Sequence, residues 1–206
     1  VEAIVRSAEQ GYEAVVVTVD VARQGNRRRD ARNRWQFLQA DGNVEDPNEL
    51  FDHALTFDDV AWLVERSPVP LVVKGVLRGD DARACIDAGA AGVVVSNHGG
   101  RQLDGAIATA DALADVVEGV GGRGEVYVDG GIRRGQHVVK ALAMGARAVF
   151  VGRPAMWGLI VAGERGVEGV MRGFRDEVER AMALCGVRTV GEIDASLLAH
   201  RGGGDR

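Results

Sequence analysis

The sequence predicts an α/β fold, a TIM (β/α)8 barrel of which about five βα units are present, leaving the barrel incomplete. Two observations carry this reading. Five short apolar runs rich in β-branched residues alternate with helical patterns, the signature of parallel strands buried on both faces. Each run also ends in polar or charged groups: Thr18 and Asp20, then Lys74, Ser96 with His98, Asp129, and Gly152 with Arg153. Functional groups at the C-terminal ends of many successive strands are the habit of a barrel, whereas an open doubly wound sheet gathers them at one switch point.

A helical pattern begins at Val1, and the first strand is expected over Ala14–Asp20 (AVVVTVD). Gln36–Leu55 has no periodicity and reads as a long βα loop. Thr56 with Asp59 is a capping signal for a helix over Phe57–Arg66. Strands follow at Pro70–Gly75 and Gly92–Asn97, separated by a helix over Asp80–Ala88 that stops at Gly89. The fourth and fifth strands are expected at Glu125–Gly130 and Ala148–Gly152, separated by a helix over Gly135–Met144 that stops at Gly145. Val167–Leu184 is a longer amphipathic helix ending near Gly186, and Thr189 with Glu192 opens a last short one. Residues 1–199 form one domain portion, and 200–206 are expected to be a flexible tail.

Composition limits the function. Of 206 residues, 46% are hydrophobic and 27% charged, which excludes a disordered chain. No apolar run approaches the roughly 20 residues that span a bilayer, and charges in Val1–Tyr12 break any secretory h-region. A net charge of −5 gives no broad footprint for nucleic acid. Two cysteines, Cys85 and Cys185, set an expectation of a reducing, cytoplasmic setting. Glycine, at 29 residues, is about twice as common as usual and clusters after the apolar runs, as tight strand-to-helix turns require.

The chemistry concentrates in three turns. Ser96-Asn97-His98-Gly99-Gly100-Arg101-Gln102-Leu103-Asp104 follows a buried strand. It offers an imidazole that takes a proton near neutral pH, and an arginine fork suited to a carboxylate. A surface turn with an unrelated His and Arg is the bland alternative. Lys74 closes an apolar strand and either snorkels outward or points into a site. Asp129-Gly130-Gly131-Ile132-Arg133-Arg134-Gly135, followed by Gly152-Arg153, gives two glycine-rich turns with arginines before helix N-termini, a phosphate cradle. The basic run Arg27-Arg28-Arg29-Asp30-Ala31-Arg32-Asn33-Arg34 reads on its own as a solvated loop or a nucleic-acid patch, the second opposed by the net acidity and the lack of interleaved aromatics, and no metal site is predicted.

Taken in order, SNHGGRQLD, LVVKG, DGGIRRG and VGRP resemble the FMN-dependent α-hydroxy acid oxidase and dehydrogenase family, in its C-terminal part. The resemblance implies FMN as cofactor, and oxidation of a small L-2-hydroxy acid of the lactate, glycolate or mandelate kind to the 2-oxo acid. It implies His98 as the base and Asp20 as the carboxylate that orients it. Arg101 and Arg27 are similar to the pair that clamps the substrate carboxylate. Lys74 resembles the lysine beside the flavin, Thr18 and Ser96 flavin-ring contacts, and Asp129, Gly130, Gly131, Ile132, Arg133, Gly152 and Arg153 ribityl-phosphate contacts. The loop after TVD departs from the family, with Ala22 and Asn26-Arg27 where a proline and paired arginines are usual.

The family's first three strands have no counterpart before Val1, so open sheet edges, an exposed interior and weak flavin binding are expected of these 206 residues. The electron acceptor (oxygen, a quinone or a cytochrome) leaves no motif, and association into a homo-oligomer is expected. The competing reading is a truncated, catalytically silent α/β domain that binds a phosphorylated ligand or a partner chain. If His98 is the base it must be unprotonated, so activity is expected to fall below roughly pH 6. A flat rate profile from about pH 5 to 8 in a His98-dependent enzyme contradicts that role.

Overall fold

In a computed structural model the protein is described over residues 1–26, 28–33 and 52–199. The elements run α1 (Glu2–Glu9), β1 (Val15–Thr18), α2 (Arg28–Arg32), α3 (Phe57–Arg66), β2 (Leu71–Val76), α4 (Gly79–Asp87) and β3 (Gly92–Val95). They continue with α5 (Thr109–Val120), β4 (Glu125–Val128), α6 (Gly135–Ala143), β5 (Ala148–Val149) and α7 (Arg153–Cys185). The five strands form one sheet in the order β1-β2-β3-β4-β5, and every pairing is parallel. An order that never reverses is barrel wall; a doubly wound sheet would place a later strand on the far side of the first.

The sheet's two faces divide the work. One face carries Val17–Val73–Val93–Val126 and, a step further along, Val76–Val95–Val128–Val149, each row reading straight across the ladder. These valines pack with Val60, Cys85, Leu113, Val116 and Val120 of the helical layer in the main core. The other face carries Thr18, Lys74, Val94 and Tyr127 in register. There Val16 and Phe150 stay half exposed, each 48% accessible. The apolar runs therefore conceal an alternation between a buried face and a face that carries the chemistry.

Local signals explain most boundaries. Thr56 Oγ1 accepts from the Asp59 N–H and the Asp59 carboxylate accepts from the Thr56 N–H at 2.7 Å, the reciprocal cap expected at the start of α3. Gly89, Gly145 and Gly186 all have positive φ just beyond α4, α6 and α7. Four of the strands are shorter than the apolar runs because their polar ends leave the ladder to enter turns, whereas β2 runs one residue past the expected end, to Val76, and keeps Lys74 in the ladder.

Four elements differ from expectation, the first being α2, a short helix over Arg28–Arg32 where the basic run is expected to be a loop. α7 starts at Arg153, and Ala162 and Gly163 leave helical geometry within it, so Val167–Leu184 is its second limb. The last helix is a single 3-10 turn, Val190–Glu192, too short to propagate. α5 is absent from the expected elements, yet it buries Thr109, Ala112, Leu113, Val116, Gly119 and Val120. Most of the Gln36–Leu55 loop and the 200–206 tail lie outside the described residues.

The two thiols sit in opposite environments. Cys85 is in the core, where burial, with a smaller contribution from the charge of Asp81, pushes its thiol up to about 11, while Cys185 is exposed. A thiol reagent near neutral pH is expected to modify one cysteine per folded chain and two after denaturation. Two fast-reacting thiols in the native chain would show that the α4 face is not packed as described.

Candidate active site

The site is assembled by turns at one end of the sheet. β1 runs on through Val19, whose N–H donates to the Lys74 carbonyl at 2.8 Å, so the next residue, Asp20, stands beside β2. β3 runs on into Ser96, fully buried, and then into the turn His98–Gly100. His98 has φ +55, the only positive φ of a non-glycine residue among the described residues. The Ser96 hydroxyl oxygen accepts from the His98 N–H at 3.1 Å, and Asn97 Oδ1 accepts from the Gly100 N–H at 3.1 Å. Asn97 Nδ2 donates to the Ile107 carbonyl, also at 3.1 Å, so the turn is pinned from both sides.

The pinned turn sets the imidazole against Asp20, with His98 Nδ1 and Asp20 Oδ1 3.0 Å apart. An ionised carboxylate only accepts, so Nδ1 carries the proton of the neutral ring and Nε2 keeps its lone pair. The Asp20 side chain is 13% exposed and that of His98 32%, which places the ring between core and cleft.

Lys74 points into the same region. Its Nζ donates to Ser96 Oγ at 2.9 Å and lies 3.5 Å from Asp129 Oδ2. One buried hydroxyl thus touches both the lysine and the backbone of the histidine. Asp129 is fixed through its own carbonyl, which accepts from Thr109 Oγ1 of α5 at 2.6 Å. Its other carboxylate oxygen, Oδ1, is buried with no hydrogen-bond partner among the described residues. Gly130 follows at φ +85, where a Cβ would come 2.9 Å from Thr109 Oγ1. Arg153, after β5, donates from Nη2 to the Gly99 carbonyl at 2.8 Å and so joins the last turn to the histidine turn.

Most of the predicted residues converge. Lys74, His98, Arg101, Asp129, Gly130, Gly131, Ile132, Arg133, Gly152 and Arg153 all line one cleft of about 300 Å3. A side chain built on Gly131 or Gly152 would meet nothing within 4 Å, so both turns face open space. Asp20 and Ser96 stand behind the cleft wall and act on groups in it. Thr18 pairs with Lys74 in the ladder without lining the cleft. Arg27 lies outside the described residues. A second, more apolar cleft of about 490 Å3 adjoins the first behind the Gly130 turn, with Leu113, Ala141 and Met144 in its wall.

Four residues are missing from the sequence-based set. Asn97 and Thr109 fix the turns, Gln102 Oε1 accepts from the Gly25 N–H at 2.9 Å and tethers the loop after β1, and His137 Nδ1 accepts from the Arg133 N–H at 3.2 Å. Asn97 and Gln102 lie inside the SNHGGRQLD stretch; their signal is their place there. Thr109 had a signal in the helical period that begins with it, and His137 had none.

Comparison with known proteins agrees with this architecture. The sequence profile of the FMN-dependent dehydrogenases matches residues 1–200. The chain is 45% identical to mouse 2-hydroxyacid oxidase 1 and 46% identical to an L-lactate oxidase of Nostoc sp., in each case over 94% of this chain and 58% of the relative. A crystal structure of mandelate oxidase with 3,3-difluoro-2-hydroxy-3-phenylpropionic acid superposes with a TM-score of 0.84 at 44% identity, over 94% of this chain and 57% of that one. The chain therefore spans a little over half the length of the relatives it matches. A profile match over almost every residue, and a shared barrel wall at 44% identity, lead to one conclusion: the chain belongs to the FMN-dependent dehydrogenase family.

Proposed function

We propose that this chain forms the catalytic half of an FMN-dependent oxidoreductase that converts a small 2-hydroxy acid to its 2-oxo acid. The observation that carries the proposal is the Asp20–His98 pair at 3.0 Å, with His98 on the wall of a cleft that arginines also line. The donor set fits the cofactor. The orphaned, buried Asp129 Oδ1 suits a hydroxyl of a ribityl chain. The glycine turns at Gly130–Gly131 and Gly152, with Arg133 and Arg153, suit a phosphate. Bound FMN supplies the two-electron acceptor that no side chain offers.

The chain's own residues do the rest. His98 Nε2 takes the proton released as the hydroxy acid is oxidised, and Asp20 keeps the ring in the required tautomer and balances the imidazolium that forms. Arg101 lines the cleft, with no carboxylate partner among the described residues, and its planar fork matches a substrate carboxylate. Fixing that carboxylate fixes the reacting carbon, which is catalysis by orientation. Lys74, held by Ser96 and only partly balanced by Asp129, keeps positive charge at the cleft wall where negative charge would develop. The names of the relatives, oxidases of 2-hydroxy acids and lactate, support the substrate class.

The test is the visible spectrum of the complete gene product with FMN, before and after anaerobic addition of lactate, glycolate or mandelate. Bleaching of the flavin by one of these acids is the expected result. Stoichiometric FMN with no bleaching by any 2-hydroxy acid overturns the reading in favour of a silent domain. His98→Gln is expected to lower kcat by ~10²–10⁴. Arg101→Leu is expected to raise KM and lower kcat/KM by about 10².

A further inference from the structure

Strand β2 is irregular at one residue. Lys74 pairs with Val94 and Val76 with the adjacent Val95, so Gly75 is an extra residue with no partner on β3. This is a β-bulge, a device that re-aims side chains beside active sites. In an unbroken strand, positions 74 and 76 would share a face. The bulge instead sends Lys74 to the cleft face and returns Val76 to the core.

The same residue touches the catalytic pair. Gly75 has φ +113, and a Cβ built on it would come 2.6 Å from Asp20 Cβ, 2.8 Å from Asp20 Cγ and 2.9 Å from Asp20 N. The Asp20 side chain therefore lies flat against the β2 backbone in the space that any other residue at 75 would fill. Hydrogen bonds do not explain its orientation. Oδ1 meets only His98 Nδ1, and Oδ2 is buried with no partner among the described residues. A carboxylate held by one hydrogen bond is aimed by what it packs against.

We infer that Gly75 is a positioning residue: its bulge and its missing side chain form the seat that aims Asp20 at His98 Nδ1. It acts on the reaction only through Asp20, and the inference rests on the reading of His98 as the base. One backbone irregularity thereby sets two groups at once, the cation of Lys74 on one side and the partner of His98 on the other.

The test reads the imidazole directly and needs neither cofactor nor turnover. The chain is labelled with 15N-histidine, and the His98 signals are assigned by their loss in His98→Gln. In the parent chain the neutral ring is expected as the Nδ1–H tautomer. Asp20→Ala is expected to lose that tautomer in favour of Nε2–H, and a folded Gly75→Ala to lose it in the same way. Combining the two is expected to change the ring signals no further. A folded Gly75→Ala that keeps the parent tautomer overturns the inference, as does a double variant in which the losses add. If Gly75→Ala does not fold, Asp20→Gly/Gly75→Ala decides. Recovery of the fold supports the seat, and continued failure shows that Gly75 serves the backbone alone and overturns it. Failure of the oxidoreductase reading leaves these tautomer signals untouched, so the two failures are distinguishable.

Discussion

Everything at the site depends on five strands pairing in chain order and in parallel. That constraint brings every strand's C-terminal end to one rim, so residues spread from Lys74 to Arg153 meet across a single cleft with Asp20 behind its wall. It also gathers most of the polar groups in the turns, because most side chains within the ladder are committed to the core, with Lys74 a ladder residue that reaches the cleft. The valine rows that join strand to helix are chemically silent. Their contribution is rigidity: a close-packed layer holds each strand end to a fraction of an ångström, which hydrogen-bond geometry between distant turns requires.

On that rim the polar groups form a linked set. Ser96 Oγ joins Lys74 to the backbone of His98, Asp129 lies beside Lys74, and Arg153 reaches the carbonyl of Gly99. With the Asp20–His98 bond, all five strand ends are thereby connected. A half-satisfied set of this kind is normally unfavourable in a protein interior. Here one atom without a partner among the described residues, Asp129 Oδ1, is the one proposed above to meet a ligand hydroxyl. Binding and folding therefore share the same unfinished hydrogen-bond network.

Much of this was legible in the sequence. The capping pair Thr56 and Asp59 and the stop glycines at 89, 145 and 186 act locally, so their neighbours in sequence are their neighbours in space. The turn residues from Asp129 to Arg133, and Gly152 with Arg153, were readable for the same reason. Three kinds of feature were not. The alternation of faces in the strands was masked because valine fills both. The roles of Asn97, Thr109 and Gln102 depend on carbonyls and amides between 10 and 77 residues away, or on a neighbouring turn, and composition does not encode those distances. The bulge at Gly75 was invisible too, since PLVVKG reads as a strand that simply ends at Gly75 until its partner's register shows the ladder resuming at Val76.

The left-handed backbone of His98 has a cost that falls on the lineage rather than on the reaction. A non-glycine residue held in that region gives up about 1–3 kcal/mol, and glycine at the same place would give up little of it. Among the described residues this backbone strain thus falls on the residue proposed above as the base. If His98 is that base, selection for stability and selection for turnover pull it in opposite directions. In a duplicated copy freed from catalysis, this histidine is among the first residues whose loss would be rewarded, while the valine rows would persist. On that proposal, the identity of the residue at position 98 records whether a descendant of this chain is still selected for catalysis.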